Sequence, residues 1–227
     1  MKVDIKSYKN LYGIYSKKLK NGLTAAMIPS LAAIVGVAVS TAFSYDEDIF
    51  TVIMFVTLLF FGAAIVLWIR VPMNNGNIHK SLSRFTPEEL ERLDRDILSA
   101  PNLDGLGVTQ DAVFYTKGRL FIYPLREALW IYRQEITTTV GGFIPAGKDA
   151  YTVICGRDGK RWSLSAKLKG DAVGYLQSQI GQYRKGVFFG YSDDTDKMYR
   201  KNIGQMIAVS EEYDRQFRAQ KGDNVVV

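Results

Sequence analysis

LTAAMIPSLAAIVGVAVSTAF (Leu23–Phe43) and IFTVIMFVTLLFFGAAIVLWI (Ile49–Ile69) decide how this chain is built. Each is 21 residues long and carries no charge. As a helix rising about 1.5 Å per residue, each reaches roughly 31 Å, the thickness of a bilayer's hydrocarbon core. A helix buried in a water-soluble protein seldom lacks a polar face over six turns, so two transmembrane spans are predicted. Only Ser44, Tyr45, Asp46, Glu47 and Asp48 separate them, which makes them an antiparallel hairpin with a short acidic turn.

The flanking charges set an expected orientation. Lys2, Lys6, Lys9, Lys17, Lys18 and Lys20 precede the first span, Arg70, Lys80 and Arg84 follow the second, and the turn has neither Lys nor Arg. The positive-inside rule puts both termini in the cytoplasm of a multi-pass cell-membrane protein. A signal peptide also begins with lysines and an apolar run, but this run is longer than a usual signal core and a second span follows at once. The lone cysteine, Cys155, suits a reducing compartment.

Mean hydropathy near zero hides this division, because a very apolar first third is averaged with a polar remainder. The net charge of +6 divides unevenly too. Residues 1–20 hold six lysines and one aspartate, whereas residues 71–227 hold 22 basic and 19 acidic side chains. The large domain is therefore only mildly basic, and no nucleic-acid partner is expected.

Four segments are predicted. Residues 1–20 place Ile5, Tyr8, Tyr12, Tyr15 and Leu19 three or four apart among lysines, a basic amphipathic helix suited to the lipid interface. Residues 21–70 form the hairpin, in which Ala32, Gly36 and Ser40 recur every fourth position as a small-residue strip for helix packing. Residues 71–84, with Pro72, three asparagines and Gly76, read as a linker. Residues 85–227 form a cytosolic α+β domain.

That domain opens on a helix signalled by Thr86, Pro87 and Glu89, an N-cap, an N1 proline and a capping-box partner. Short β-type runs follow at Leu106–Thr109, Ala112–Tyr115, Arg119–Tyr123, Ala128–Ile136, Tyr151–Cys155 and Arg161–Ser165. Lys117-Gly118 and Asp158-Gly159 read as tight turns, and TTTVGGFIPAGKDA (residues 137–150) reads as a mobile hairpin loop. Leu129/Ile131 and Trp130/Tyr132 alternate, so one pair is expected in the core. A helix over Asp171–Tyr183, a turn GVFFGYS and a single helix from about Asp193 to Ala219 close the chain.

The stretch GVTQDAVFYTKGRLFIYPLREALWIYR (residues 107–133) resembles bacterial membrane-tethered domains of pleckstrin-homology-like type. Thr109, Pro124, Leu125 and Trp130 stand at the corresponding points of the pattern. The resemblance implies an antiparallel sheet of seven strands closed by a helix. Six strands are evident, and the helices before and after are additions to the family pattern. Such domains bind lipids, peptides or nothing known, so the likeness does not specify a ligand.

Catalytic chemistry is sparse: one histidine, His79, and one cysteine, Cys155, fall in unlike settings. No zinc-ligand cluster, Walker spacing at Gly147-Lys148 or EF-hand spacing is present. Asp193, Asp194 and Asp196 fit the first turn of a helix better than a metal site. No catalytic, cofactor or metal residues are assigned. Lys117, Arg119, Arg126 and Arg133, spread over successive strands, are the candidates for meeting an anionic ligand or an acidic partner. The expected role is a non-enzymatic scaffold or interaction module that meets the bilayer and a protein partner or second copy. Alternatives are a sensor of anionic lipid surface and a regulatory subunit of a membrane enzyme or transporter.

Overall fold

A computed structural model describes residues 3–42, 47–117, 120–140, 144–164 and 171–223, with backbone alone at 47, 70–77, 138, 140, 144–146, 148, 222 and 223. The chain divides into two compact units, Met1–Arg84 and Phe85–Val227.

The first unit is a pair of long helices, α1 (Lys9–Ala42) and α2 (Glu47–Leu82), preceded by a 3-10 turn at Ile5–Ser7. The turn residues Ser44, Tyr45 and Asp46 lie outside the described residues. Three contacts fix the antiparallel register: the Tyr15 ring meets His79 edge-on with centroids 6.1 Å apart, Trp68 Nε1–H donates to Ser30 Oγ at 3.1 Å, and Gly36 lies against Thr57. Both helices are long and apolar enough to cross a membrane, and only 17% and 11% of their most apolar stretches are buried. Met27, Ile28, Leu31, Ile34, Val52, Phe55, Leu58 and Leu59 are all exposed. Such low burial is not that of helices inside a soluble core.

Two expected boundaries do not exist. The amphipathic segment of residues 1–20 is no separate helix, because α1 runs unbroken from Lys9 and turns Leu11 and Tyr15 inward. The linker expected at 71–84 is helical through Leu82 despite Pro72 and Gly76. Ile78 is buried and His79 packs on Tyr15, so helix pairing overrides the local breakers.

The small-residue strip is used within the hairpin. A Cβ at Gly36 would stand 2.2 Å from Thr57 Oγ1, and Ser40 is 2% exposed, while Ala32 is half-buried. Replacing Gly36 by Leu should force the helices apart at an overpacking cost of about 1–3 kcal/mol. A detergent-unfolding titration of the hairpin should read this as a lower midpoint, and an unchanged midpoint would refute the packing.

The second unit begins at α3 (Pro87–Asp96), held by the expected capping box: Glu89 N–H donates to Thr86 Oγ1 at 3.3 Å, and Thr86 N–H to Glu89 Oε2 at 2.8 Å. Then come β1 (Asn102–Leu103), β2 (Leu106–Val108), β3 (Ala112–Tyr115) and β4 (Phe121–Pro124), an antiparallel sheet in that order. A second sheet contains β5 (Ala128–Val140), β6 (Ile144–Gly156) and β7 (Arg161–Leu164), followed by α4 (Ala172–Ile180), β8 (Phe188–Phe189), α5 (Asp193–Lys201) and α6 (Ile203–Asp223). Its order is β7-β6-β5-β8, antiparallel except that β8 runs parallel to β5.

Both faces of this second sheet are covered. Ile131 and Ile154 on one face join Leu106, Tyr123, Leu176 and Ile180, and Trp130, Tyr132 and Val153 on the other join Tyr199 and Met206. The expectation that only one of the two alternating pairs would be buried is therefore incorrect. A register shift between Ala128 and Trp130 puts Leu129 in the same cluster as Trp130, and the helices after β8 cover that second face. The single final helix is divided at Asn202, whose φ and ψ of −134° and 43° break the helical run.

The loop expected at 137–150 is largely strand. β5 and β6 pair from Ala128↔Gly156 out to Val140↔Ile144, with a second register shift at Thr138/Thr139, and only 141–143 lie outside the described residues. Asp158-Gly159 makes the predicted turn, with Gly159 at φ 76°.

Candidate functional site

Among the four basic residues nominated from sequence, Lys117 pairs with Asp104, Arg126 with Glu89, and Arg133 with Glu135 at 3.1 Å. Each has its own carboxylate, so the three ion pairs are separate. Arg119 and Gly118 lie outside the described residues. Asp193, Asp194 and Asp196 occupy the first turn of α5 behind the Ser192 N-cap, and Asp196 takes ion pairs from Arg161 at 2.7 Å and Arg200 at 2.8 Å.

A denser polar constellation, which takes in only Arg126 of those four basic residues, lies where the 3-10 turn Leu125–Glu127, the start of the β6–β7 turn, the segment after α4 and the face of α6 converge. Arg126, Arg157, Arg184, Arg215 and Arg218, with Glu127, Glu211 and Asp214, line a cleft of about 610 Å³ that Tyr183 completes. Its floor is an arginine whose donors are all committed. Arg184 Nε and Nη2 donate to Asp214 Oδ2 at 2.8 and 2.6 Å, Nη1 to the Leu125 and Ala128 carbonyls, and Nη2 also to Ser210 Oγ at 3.4 Å. Asp214 Oδ1 accepts the Lys185 and Gly186 N–H groups at 3.1 and 2.8 Å. Burial alone would raise the Asp214 carboxyl, but the hydrogen bonds and charge of Arg184 with those two N–H groups outweigh it and hold it below its ordinary value. A side chain at Gly186 would collide with the Ser210 carbonyl, so the close approach requires glycine.

Arg126 and Arg215 pair with Glu89 and Glu212, while Arg157 and Arg218 keep donors without an acceptor among the described residues. Arg157 Nη1 donates to Glu211 at 2.6 Å, yet its Nε is buried with no acceptor among the described residues. Arg218 Nε reaches only the Asp214 carbonyl at 3.2 Å, and among the described residues Arg218 has no carboxylate partner. Sequence reasoning named only Arg126 of this site and missed the rest because Asp214 sits in a charged run, SEEYDRQFR (residues 210–218), that reads as solvated surface. The available signal was helical spacing: Met206, Ser210 and Asp214, four residues apart, are the buried face of α6.

Cys155 is fully buried, and burial pushes its thiol up to about 12, with Arg161 opposing. A thiol held neutral is no nucleophile at physiological pH. A disulfide reagent at neutral pH should therefore leave Cys155 unmodified in the folded chain and label it fully in denaturant. Rapid labelling of the native protein would contradict the packing around β6.

This is an α+β unit joined in sequence to a helical hairpin long and apolar enough to cross a membrane. Comparison with protein-family models, curated proteins and solved structures finds no match.

Proposed function

We propose that the chain is a membrane-anchored, non-enzymatic interaction module of pleckstrin-homology-like type. The hairpin lies in the cell membrane as a multi-pass anchor with both termini in the cytoplasm, and the domain after it meets a protein partner or a second copy. Several features support the anchor. At about 1.5 Å per residue, the 34 residues of α1 and 36 of α2 span roughly 50 Å, more than a hydrocarbon core of about 30 Å. The excess lies at the start of α1 and the end of α2, where Lys9, Lys17, Lys18, Lys20 and Lys80 cluster. Lysines there favour the cytoplasmic side and its anionic lipid.

The family likeness gains support from the seven strands before α4 and from its marker residues. Thr109 Oγ1 accepts the Ala112 N–H at 3.1 Å to set the β2–β3 turn, Pro124 ends β4, Leu125 is buried at the corner, and Trp130 is buried on β5.

The observation that carries the interaction role is the outer arm of β5 and β6. β8 pairs with β5 only at Trp130 and Ile131, and β7 pairs with β6 only from Thr152 to Cys155. Beyond them the ribbon has no further strand on either edge among the described residues. Arg133 to Thr137 are exposed in succession, hence on both faces, including Ile136 at 45%. A two-stranded ribbon is marginal alone, and unpaired strand edges readily accept an added strand. Membrane confinement raises the effective concentration of any membrane-bound partner.

Purification in mild detergent should recover the chain with a stoichiometric partner or as an oligomer. Thr137→Pro, which removes a backbone donor from the arm, should dissociate that complex. A monomer under all mild conditions, or a complex indifferent to Thr137→Pro, would overturn the reading.

A further inference from the structure

The two outer edges of the β5–β6 arm differ. The Gly190 N–H donates to the Ile131 carbonyl at 3.0 Å, so Ile131 turns its backbone groups toward β8. Alternation along the strand then turns the N–H and C=O of Arg133, Glu135 and Thr137 the same way, where no strand meets them among the described residues. From Arg133 to Thr139 this edge has no proline, glycine or extra bulge residue. Past Thr152, the other edge carries Lys148, then Ala146, the unmatched residue at the register shift, then Pro145, which has no N–H. A lysine, a bulge and a proline all discourage an added strand. The arm is therefore open on β5 and guarded on β6. We propose that the open edge pairs with the same edge of a second copy of this chain, antiparallel and centred on Ile136. This rests on the interaction role given to the arm above and names its partner.

The residues on the edge select that register. A centre on Gln134 sets Thr137 of the second copy against Ile131, which β8 already holds. A centre on Glu135 sets two carboxylates directly opposite, which is unfavourable. A centre on Thr137 leaves Ile136 opposite Thr138 and wastes its apolar surface. A centre on Ile136 covers that side chain, 45% exposed, with its own copy, in the closer-spaced kind of antiparallel pair. Glu135 then lies opposite Thr137, whose hydroxyl can donate to it, and Arg133 lies opposite Thr139. Charge favours a copy of the same strand, because Arg133 and Glu135 neutralise each other at 3.1 Å within each chain. The same patch on both chains makes a closed two-fold contact, and two anchors in one membrane raise the effective concentration.

The test is disulfide trapping in the full chain, purified in mild detergent and oxidised with copper phenanthroline in air. The native Cys155 is fully buried and stays out of the reaction. Ile136→Cys should run as a dimer on a non-reducing gel and return to monomer with reductant, because its Cα atoms would stand about 4.5 Å apart, within disulfide reach. Gln134→Cys should stay monomeric, since its two copies are offset by roughly 13 Å along the strands. Adding Thr137→Pro, whose lost N–H points away from β6, should abolish the Ile136→Cys dimer. Failure of Ile136→Cys to form a dimer overturns the self-pairing, as do equal yields for Gln134→Cys and Ile136→Cys or a dimer indifferent to Thr137→Pro. A Thr137→Pro-sensitive complex with a different protein, in place of the dimer, overturns the self-pairing alone and leaves the arm its interaction role. If no complex of either kind depends on Thr137→Pro, both readings fall.

Discussion

Asp214→Ala should destabilise the C-terminal unit by about 3–5 kcal/mol, because it strips the counter-charge from an arginine whose side chain is only 12% exposed. The loss is larger than that of one surface ion pair, since the carboxylate also holds the Lys185 and Gly186 N–H groups. Arg184 in turn ties α6 to the Leu125 and Ala128 carbonyls at the corner joining the two sheets. Chemical denaturation of the full chain in mild detergent, followed by circular dichroism, should show the midpoint fall steeply. Arg184→Met should be milder than Asp214→Ala if its stem packs well, because it leaves a carboxylate still bonded to two amides. The same network predicts an acid dependence. The Asp214 pKa is lower folded than unfolded, so its stabilisation is complete above the unfolded value of about 4 and disappears as pH falls through the lowered folded value. The acid limb of the stability profile should therefore flatten in Asp214→Ala. An unchanged limb would show that the network contributes nothing.

Trp130→Ala is expected to cost about 3–5 kcal/mol for a different reason, the loss of a large, fully buried aromatic from the face of the second sheet. Its ring stacks on Tyr132 with centroids 4.2 Å apart and packs near Tyr199, the Arg161 guanidinium lies 5.7 Å from its centroid, and Nε1–H donates to the Gly190 carbonyl at 2.7 Å. That hydrogen bond pins the chain beside β8, so the substitution also loosens Phe188–Tyr191. Trp130→Phe keeps most of the ring contact and loses only the donor, and should cost about 1–2 kcal/mol. Equal costs for the two variants would place the effect in the hydrogen bond and not in the packing.

Much of the fold was legible because its signals are local. The uncharged runs at Leu23–Phe43 and Ile49–Ile69, the Thr86-Pro87-Glu89 cap, the Asp158-Gly159 turn and the strand cores each act within a few residues. What escaped depends on partners distant in sequence. Asp104-Gly105 was a readable turn signal between Leu103 and Leu106, and its φ values of 52° and 85° turn β1 into β2, but a two-residue strand has no periodicity to reveal it. Gly147 and Pro145 looked like loop residues, yet pairing with Thr138 and Thr139 carries them in β6. Phe188 and Phe189 read as a turn because nothing local announces that they will join Trp130 and Ile131 in parallel. The cleft was hidden most fully: Arg184 and Asp214 are thirty residues apart, and each stands where a solvated charge is ordinary.

The account depends first on the hairpin residing in the bilayer. Alkaline carbonate extraction of native membranes tests this directly: the full chain should stay in the pellet and leave only with detergent. Release into the alkaline supernatant would contradict the anchor and, with it, the membrane-bound role proposed for the domain.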